Sequence, residues 1–167
     1  MEKVSLIYSF NSNKTAKVAD KIKEAFGNDI EPINAETLVE DEFLKNRIAI
    51  MGVPTWFDGE LPNYWDEFGP ILEDLDLKDR TYALFGLGDQ KGYPDNFIDA
   101  VGLMTKILEK RGARIIGFTS TEGYHFNKSR ALRDGKFSGL AIDFENQATQ
   151  NSQRVKNWVE QLKKELE

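Results

Sequence analysis

Val4 to Phe26 reads VSLIYSFNSNKTAKVADKIKEAF, and this stretch decides the fold. It opens on a short apolar run, Val4–Tyr8, with β-branched and aromatic members. Such a run suits a strand buried on both faces. The polar segment Ser9–Lys14 follows. Then Ala16, Val18, Ala19, Ile22, Ala25 and Phe26 recur near helical spacing, and Gly27 with Asn28 stops the helix.

The same alternation continues outward from there. Ile30–Ile33 reads as a weak second strand, and Leu38–Leu44 as a short helix. Arg47–Val53 (RIAIMGV) is a strong third strand ending at Pro54. Leu61–Leu75 mixes aromatic and acidic residues, as a half-exposed helix does. Thr81–Leu87 (TYALFGL) is the fourth strand, and Phe97–Leu108 a helix closed by Arg111-Gly112. Arg114–Phe118 is a fifth strand, and Leu140–Asp143 reads as more strand. Gln153–Leu166 is a final helix with Val155, Trp158, Val159 and Leu162 on one face. Strands alternating with helices predict an α/β fold: a doubly wound, five-stranded parallel sheet in the order 2-1-3-4-5. The interval Thr119–Gly139 is long for a connection and is read as an insertion interrupting the last strand.

A chain of 167 residues predicts a single domain, residues 1–167. Its 28 acidic and 22 basic residues give a net charge of −6, which argues against unspecific nucleic-acid binding. With no cysteine, disulfides, thiolate metal sites and Cys nucleophiles are excluded. A lone histidine, His125, cannot build a multi-His metal site and is expected at the surface. No stretch approaches the ~20 apolar residues of a membrane helix. The first residues do not look like a secretion signal, so a cytoplasmic, monomeric protein is expected.

In an open α/β sheet, ligands bind at the carboxyl ends of the strands. The loops after strands one, three and four all carry unusual residues. Ser9-Phe10-Asn11-Ser12-Asn13-Lys14-Thr15 leads into a helix N-terminus, a ready anion site with added hydroxyls. The same Ser, Asn and Thr residues also serve as ordinary helix caps. It is neither a Walker A motif nor a GxGxxG. Pro54-Thr55-Trp56-Phe57-Asp58-Gly59 is a turn with a large aromatic at the rim, where a Trp also serves as edge packing. Leu87-Gly88-Asp89 through Tyr93 to Asn96-Phe97 adds glycines, polar groups and a second aromatic. An anion cradle beside two aromatics suits a flat ring with a phosphate tail.

These loops resemble those of long-chain flavodoxins. GVPTWFDGELP (52–62), FGLGDQKGYPDNFIDAVG (85–102) and GKFSGLAIDFENQ (135–147) carry the likeness. The insertion matches the extra loop of long-chain members. The resemblance implies a bound FMN and no catalytic residues. Phe10, Asn11, Ser12, Asn13, Lys14 and Thr15 would wrap its phosphate. Pro54, Thr55, Trp56, Phe57, Asp58 and Gly59 would line one side of the flavin, with Trp56 stacked on it. Tyr93 would stack on the other face, with Leu87, Gly88, Asp89, Asn96 and Phe97 along the ring's polar edge. The peptide joining Phe57 to Asp58 would turn over when the flavin takes its first electron. Family members usually have Ser or Thr at the place of Phe10 and Gly at that of Asn13.

The resemblance further implies a low-potential one-electron carrier serving basic-faced redox proteins. Those are reductases of the ferredoxin–NADP type, photosystem I, nitrogenase and pyruvate oxidoreductases. Acids such as Asp58, Glu60, Asp66, Glu67 and Asp89 would oppose an anionic flavin and steer encounters. One alternative is an FMN-dependent quinone or metal reductase on the same fold. Another is a phosphoryl-accepting receiver domain, which needs clustered acids after strand one and an acceptor Asp after strand three.

Overall fold

A computed structural model describes residues 2–27 and 29–167. The helix stop read at Asn28 lies outside them, while Gly27 sits at φ +100 with its N–H on the Lys23 carbonyl. The chain runs β1 (Val4–Tyr8), α1 (Asn13–Phe26), β2 (Ile30–Asn34), α2 (Glu40–Lys45), β3 (Ile48–Gly52), α3 (Asn63–Glu73), β4 (Thr81–Leu87), α4 (Asp99–Lys110) and β5 (Arg114–Ile116). Then come β6 (Thr119–Ser120), β7 (Leu132–Arg133), β8 (Lys136–Phe137), β9 (Leu140–Ile142), α5 (Phe144–Gln147) and α6 (Asn151–Glu165).

The main sheet is parallel and ordered β2-β1-β3-β4-β5, as the alternation predicted. Its last position is shared. β5 pairs the first half of β4, with Thr81 opposite Arg114 and Ala83 opposite Ile116. β9 pairs the second half, with Phe85 opposite Leu140 and Leu87 opposite Ile142. Residues 117–139 are thus an insertion in one strand, and they carry the small antiparallel sheet β6-β8-β7. The fifth strand ends at Ile116 rather than Phe118, because Gly117 turns to φ +81. The Gly117 carbonyl there accepts from Trp158 Nε1 at 2.8 Å.

Successive strand residues feed opposite faces, as pleating requires. Leu6, Ile50, Phe85 and Ile142 pack with Val18 and Ile22 of α1 and with Trp158 and Leu162 of α6. Ile7, Met51 and Leu84 pack with Trp65 and Phe68 of α3 and with Val101 and Met104 of α4. Trp65 also donates from Nε1 to the Gly52 carbonyl at 2.9 Å, fixing α3 to the end of β3.

α4 begins at Asp99, later than the Phe97 start that periodicity predicted. The cause is Ile98, which is fully buried and left-handed at φ +45. A β-branched residue in that region is an outlier. It breaks helical geometry, so the helix starts only at the next residue.

Candidate functional site

The carboxyl ends of β3, β4 and β9 and the amino end of α1 meet at a groove of about 380 Å³. Thr55, Trp56 and Phe57 line it from the loop after β3. Leu87, Gly88, Asp89, Tyr93 and Asn96 line it from the end of β4 and the loop after it. Lys14, Phe144 and Glu145 complete it. Such a volume is within the usual range for a small-molecule site.

The first wall is a closed turn. Trp56 N–H donates to the Glu60 carbonyl at 2.8 Å, and Glu60 N–H returns to the Trp56 carbonyl at 2.7 Å. Between them Phe57 adopts φ +50 and Gly59 φ +95. The Phe57 side chain is 74% exposed. Gly59 is required twice over: its φ is left-handed, and a Cβ there would lie 2.6 Å from Asp99 Oδ2. The Trp56 indole stands on edge against Tyr64, at 5.9 Å and 85°. Thr55 Oγ1 accepts from Ala100 N–H at 3.1 Å, so this wall also caps α4.

The second wall is wound around Asp89. Its Oδ1 accepts from Lys91 N–H at 3.1 Å, Gly92 N–H at 2.8 Å and Asn146 Nδ2 at 2.8 Å. The Gly92 hydrogen bond, then that of Asn146, holds the Asp89 carboxyl below the usual carboxylate range, and Lys14 adds a smaller pull. Tyr93 follows with half its ring exposed. Asn96 Nδ2 donates to Asp99 Oδ2 at 3.2 Å. Asp99 is itself buried, and its Oδ1 accepts from Arg130 N–H of the insertion at 2.8 Å.

At the α1 end, Ser12 Oγ donates to Thr15 Oγ1 at 2.9 Å. Among the described residues, the N–H groups of Asn13, Lys14 and Thr15 have no hydrogen-bond partner. They are first-turn donors at the positive end of a 14-residue helix, an arrangement suited to an anion. Lys14 Nζ pairs with Glu145 Oε1 of α5.

Several expected residues stand apart from the groove. Phe10 lies on Tyr8, with ring centroids 4.9 Å apart. Asn11 Nδ2 donates to Glu36 Oε2 at 2.6 Å, and the Asn13 side chain is exposed and does not line the groove, its backbone N–H alone facing the helix start. Asp58 is exposed at the tip of its turn, and Pro54 is buried behind it. Phe97 is fully buried among Tyr124, Phe126 and Phe137 of the insertion, and its N–H donates to the Lys128 carbonyl.

Phe144 and Glu145 are groove residues that loop reasoning missed. The signal was available: β9 is a parallel strand beside β4, so the chain after it also emerges at the ligand side. Gln90 was missed as well. It is 4% exposed and ties the second wall to Asp143, Gln147 and His125. Exposed His125 contributes only its backbone N–H there, to Gln90 Oε1 at 2.6 Å.

A family profile described as Flavodoxin matches residues 6–158 of the chain. The chain belongs to the flavodoxin family. A flavodoxin of Nostoc sp. (strain PCC 7120) is 42% identical over 166 residues, covering 99% of this chain and 98% of its own. Flavodoxin 1 of Escherichia coli K12 is 38% identical over 163 residues, covering 96% and 93%. The crystal structure of Fusobacterium nucleatum flavodoxin bound to flavin mononucleotide superposes with a TM-score of 0.93 at 30% identity, covering 99% of each chain. Flavodoxins are electron-transfer proteins rather than enzymes, and this chain has their fold throughout. Among the described residues no helix is long and apolar enough to cross a membrane.

Proposed function

We propose that the groove is an FMN site and that the whole chain, as one domain, is a one-electron carrier between redox enzymes. The carrying observation is that Lys14, in the first turn of α1 where the N–H groups of Asn13–Thr15 are unpartnered, shares one groove with the aromatics Trp56 and Tyr93. The first suits a phosphate, the second a flat apolar ring. FMN bound there supplies the electron chemistry.

The chain's own residues bind, orient and exclude water. The N–H groups at the start of α1 hold the phosphate, with the half-buried Ser12 hydroxyl as a further donor in front of buried Thr15. Trp56 is braced by Tyr64 and cannot swing freely, so it fixes the plane of the ring. Tyr93 and Phe57, both exposed, cover what Trp56 leaves open and form the apolar rim through which a partner approaches. Asp58, Glu60 and Asp89 put negative charge around that rim. They oppose a further negative charge in the groove and draw in a partner with a basic face. A ferredoxin–NADP type reductase fits such a face. The chain works as a cytoplasmic monomer.

Purification of the whole chain, followed by mass spectrometry of the released cofactor, tests this reading. One FMN per chain is expected. Release of FAD, or a chain that takes up no flavin, overturns it. Steady NADPH oxidation by the pure protein, without a reductase, would favour a quinone or metal reductase instead.

A further inference from the structure

Lys14 and Glu145 are far apart in sequence, yet both line the groove and they form an ion pair. Lys14 stands in the first turn of α1, where side chains lean back towards the helix N-terminus. That is the end where Asn13, Lys14 and Thr15 present unpartnered N–H groups. Glu145 follows β9 and is the acid of the first turn of α5. A phosphate at the α1 N-terminus therefore meets one ammonium that a carboxylate already claims.

We propose that Glu145 weakens phosphate binding in this groove by competing for Lys14, making it a determinant of how tightly the phosphorylated ligand is held. The inference rests on the FMN reading above and deepens it. Each partner of the pair is about half exposed, 54% for Lys14 and 51% for Glu145, so the pair is a modest one. Its effect on affinity is nonetheless one-directional. An interaction the ligand must break is subtracted from the affinity it gains. The leftover carboxylate then adds repulsion against a dianion. Lys14 is near Asp89 as well, which already has Gly92, Asn146 and Lys91 to satisfy it. Glu145 has no other hydrogen-bond partner among the described residues, so Lys14 is its sole satisfaction.

The test compares FMN with riboflavin, which has the ring and chain but no phosphate. The full chain, stripped of flavin, is titrated with each and followed by flavin fluorescence. Glu145→Gln should tighten FMN binding by up to about fivefold, the size expected of an exposed ion pair, and leave riboflavin unchanged. Raising the salt should shrink the difference. In a Lys14→Gln background, Glu145→Gln should have a smaller effect. Two results overturn the proposal: equal shifts for FMN and riboflavin, or a weaker, faster-released FMN in Glu145→Gln, which would make the pair a clasp over the ligand. Failure of the unaltered chain to bind FMN at all would instead overturn the site itself.

Discussion

Trp56 and Glu60 are joined main chain to main chain in both directions, at 2.8 and 2.7 Å, with Phe57-Asp58-Gly59 forced into the loop between them. That closure is what holds Phe57 at φ +50, a region costing a Cβ-bearing residue ~1–2 kcal/mol. Asparagine visits it more readily. Phe57→Asn should therefore raise stability by about 0.5–1 kcal/mol, since the exposed ring forfeits little burial. Phe57→Pro, locked near φ −65°, should open the turn and cost more than that. Urea denaturation of the three proteins checks both signs.

The two aromatic walls should separate by experiment. Tyr93 is half exposed and has no ring partner among the described residues, so Tyr93→Ala should weaken FMN binding by ~1–3 kcal/mol at nearly unchanged stability. Trp56 packs on Tyr64 and on the core around it, so Trp56→Ala should lose both affinity and stability. Fluorescence titration paired with thermal melts distinguishes the two outcomes. Identical profiles for both variants would count against the asymmetry.

Gly102 lies inside α4, where alanine is normally better by about 1 kcal/mol. Here a Cβ would sit 2.2 Å from the Arg130 carbonyl oxygen and 2.6 Å from Ala131 N. Backbone cannot yield as a side chain can. Overpacking of ~1–3 kcal/mol outweighs propensity, and Gly102→Ala should lower the melting temperature.

Alkaline conditions should weaken the fold through its phenols. Burial pushes the Tyr124 hydroxyl up to about 12, against a smaller opposing pull from Arg154. Burial raises Tyr64 and Tyr82 too. The folded state keeps these protons where the unfolded chain, titrating near ~10, releases them. Their contribution is complete below about pH 10 and is lost as pH rises through the folded values. Tyr124→Phe should flatten part of that decline. It should also cost ~1 kcal/mol at neutral pH, from the 2.7 Å bond to the Ala141 carbonyl. Denaturation at a series of pH values from 8 upward measures both.

Asp89 has the opposite sign. Its carboxyl is held low, so its contribution is present above the unfolded value near ~3.9 and disappears as pH falls through the folded one. The stability gap between the native chain and Asp89→Asn should narrow on acidification below about pH 4. A constant gap would show that the charge of Asp89 contributes nothing.

The strand order was legible because buried runs such as Val4–Tyr8 and Thr81–Leu87 alternate with amphipathic helices, and that alternation admits few topologies. The interruption of the last strand was legible too, because Arg114–Phe118 and Leu140–Asp143 both read as strand and are too far apart to be one. What escaped were features set by backbone strain and long-range contact. Nothing local to Ile98 announces a left-handed residue, since isoleucine disfavours it and only tertiary packing imposes it. In the groove, Trp56, Tyr93 and Asp89 were readable as unusual residues at strand ends. The Lys14–Glu145 pair was not, because it joins opposite ends of the sequence. The position of Phe97 was not legible for a related reason: its neighbour Asn96 lines the groove, while its own ring is drawn into an aromatic cluster supplied by the insertion.

The shared last position of the sheet has one more consequence. A parallel sheet has two open flanks, and each offers a ladder of unpaired amides on which another chain could grow. On one flank that ladder is cut into β5 and β9, each only 3 residues long, with Gly117 and the insertion between them. On the other, β2 carries Pro32 at its centre, opposite Leu6, and a proline has no N–H to offer. Neither flank presents a long, regular template. The interruption that gives this protein its extra loop also guards its sheet against strand-by-strand aggregation.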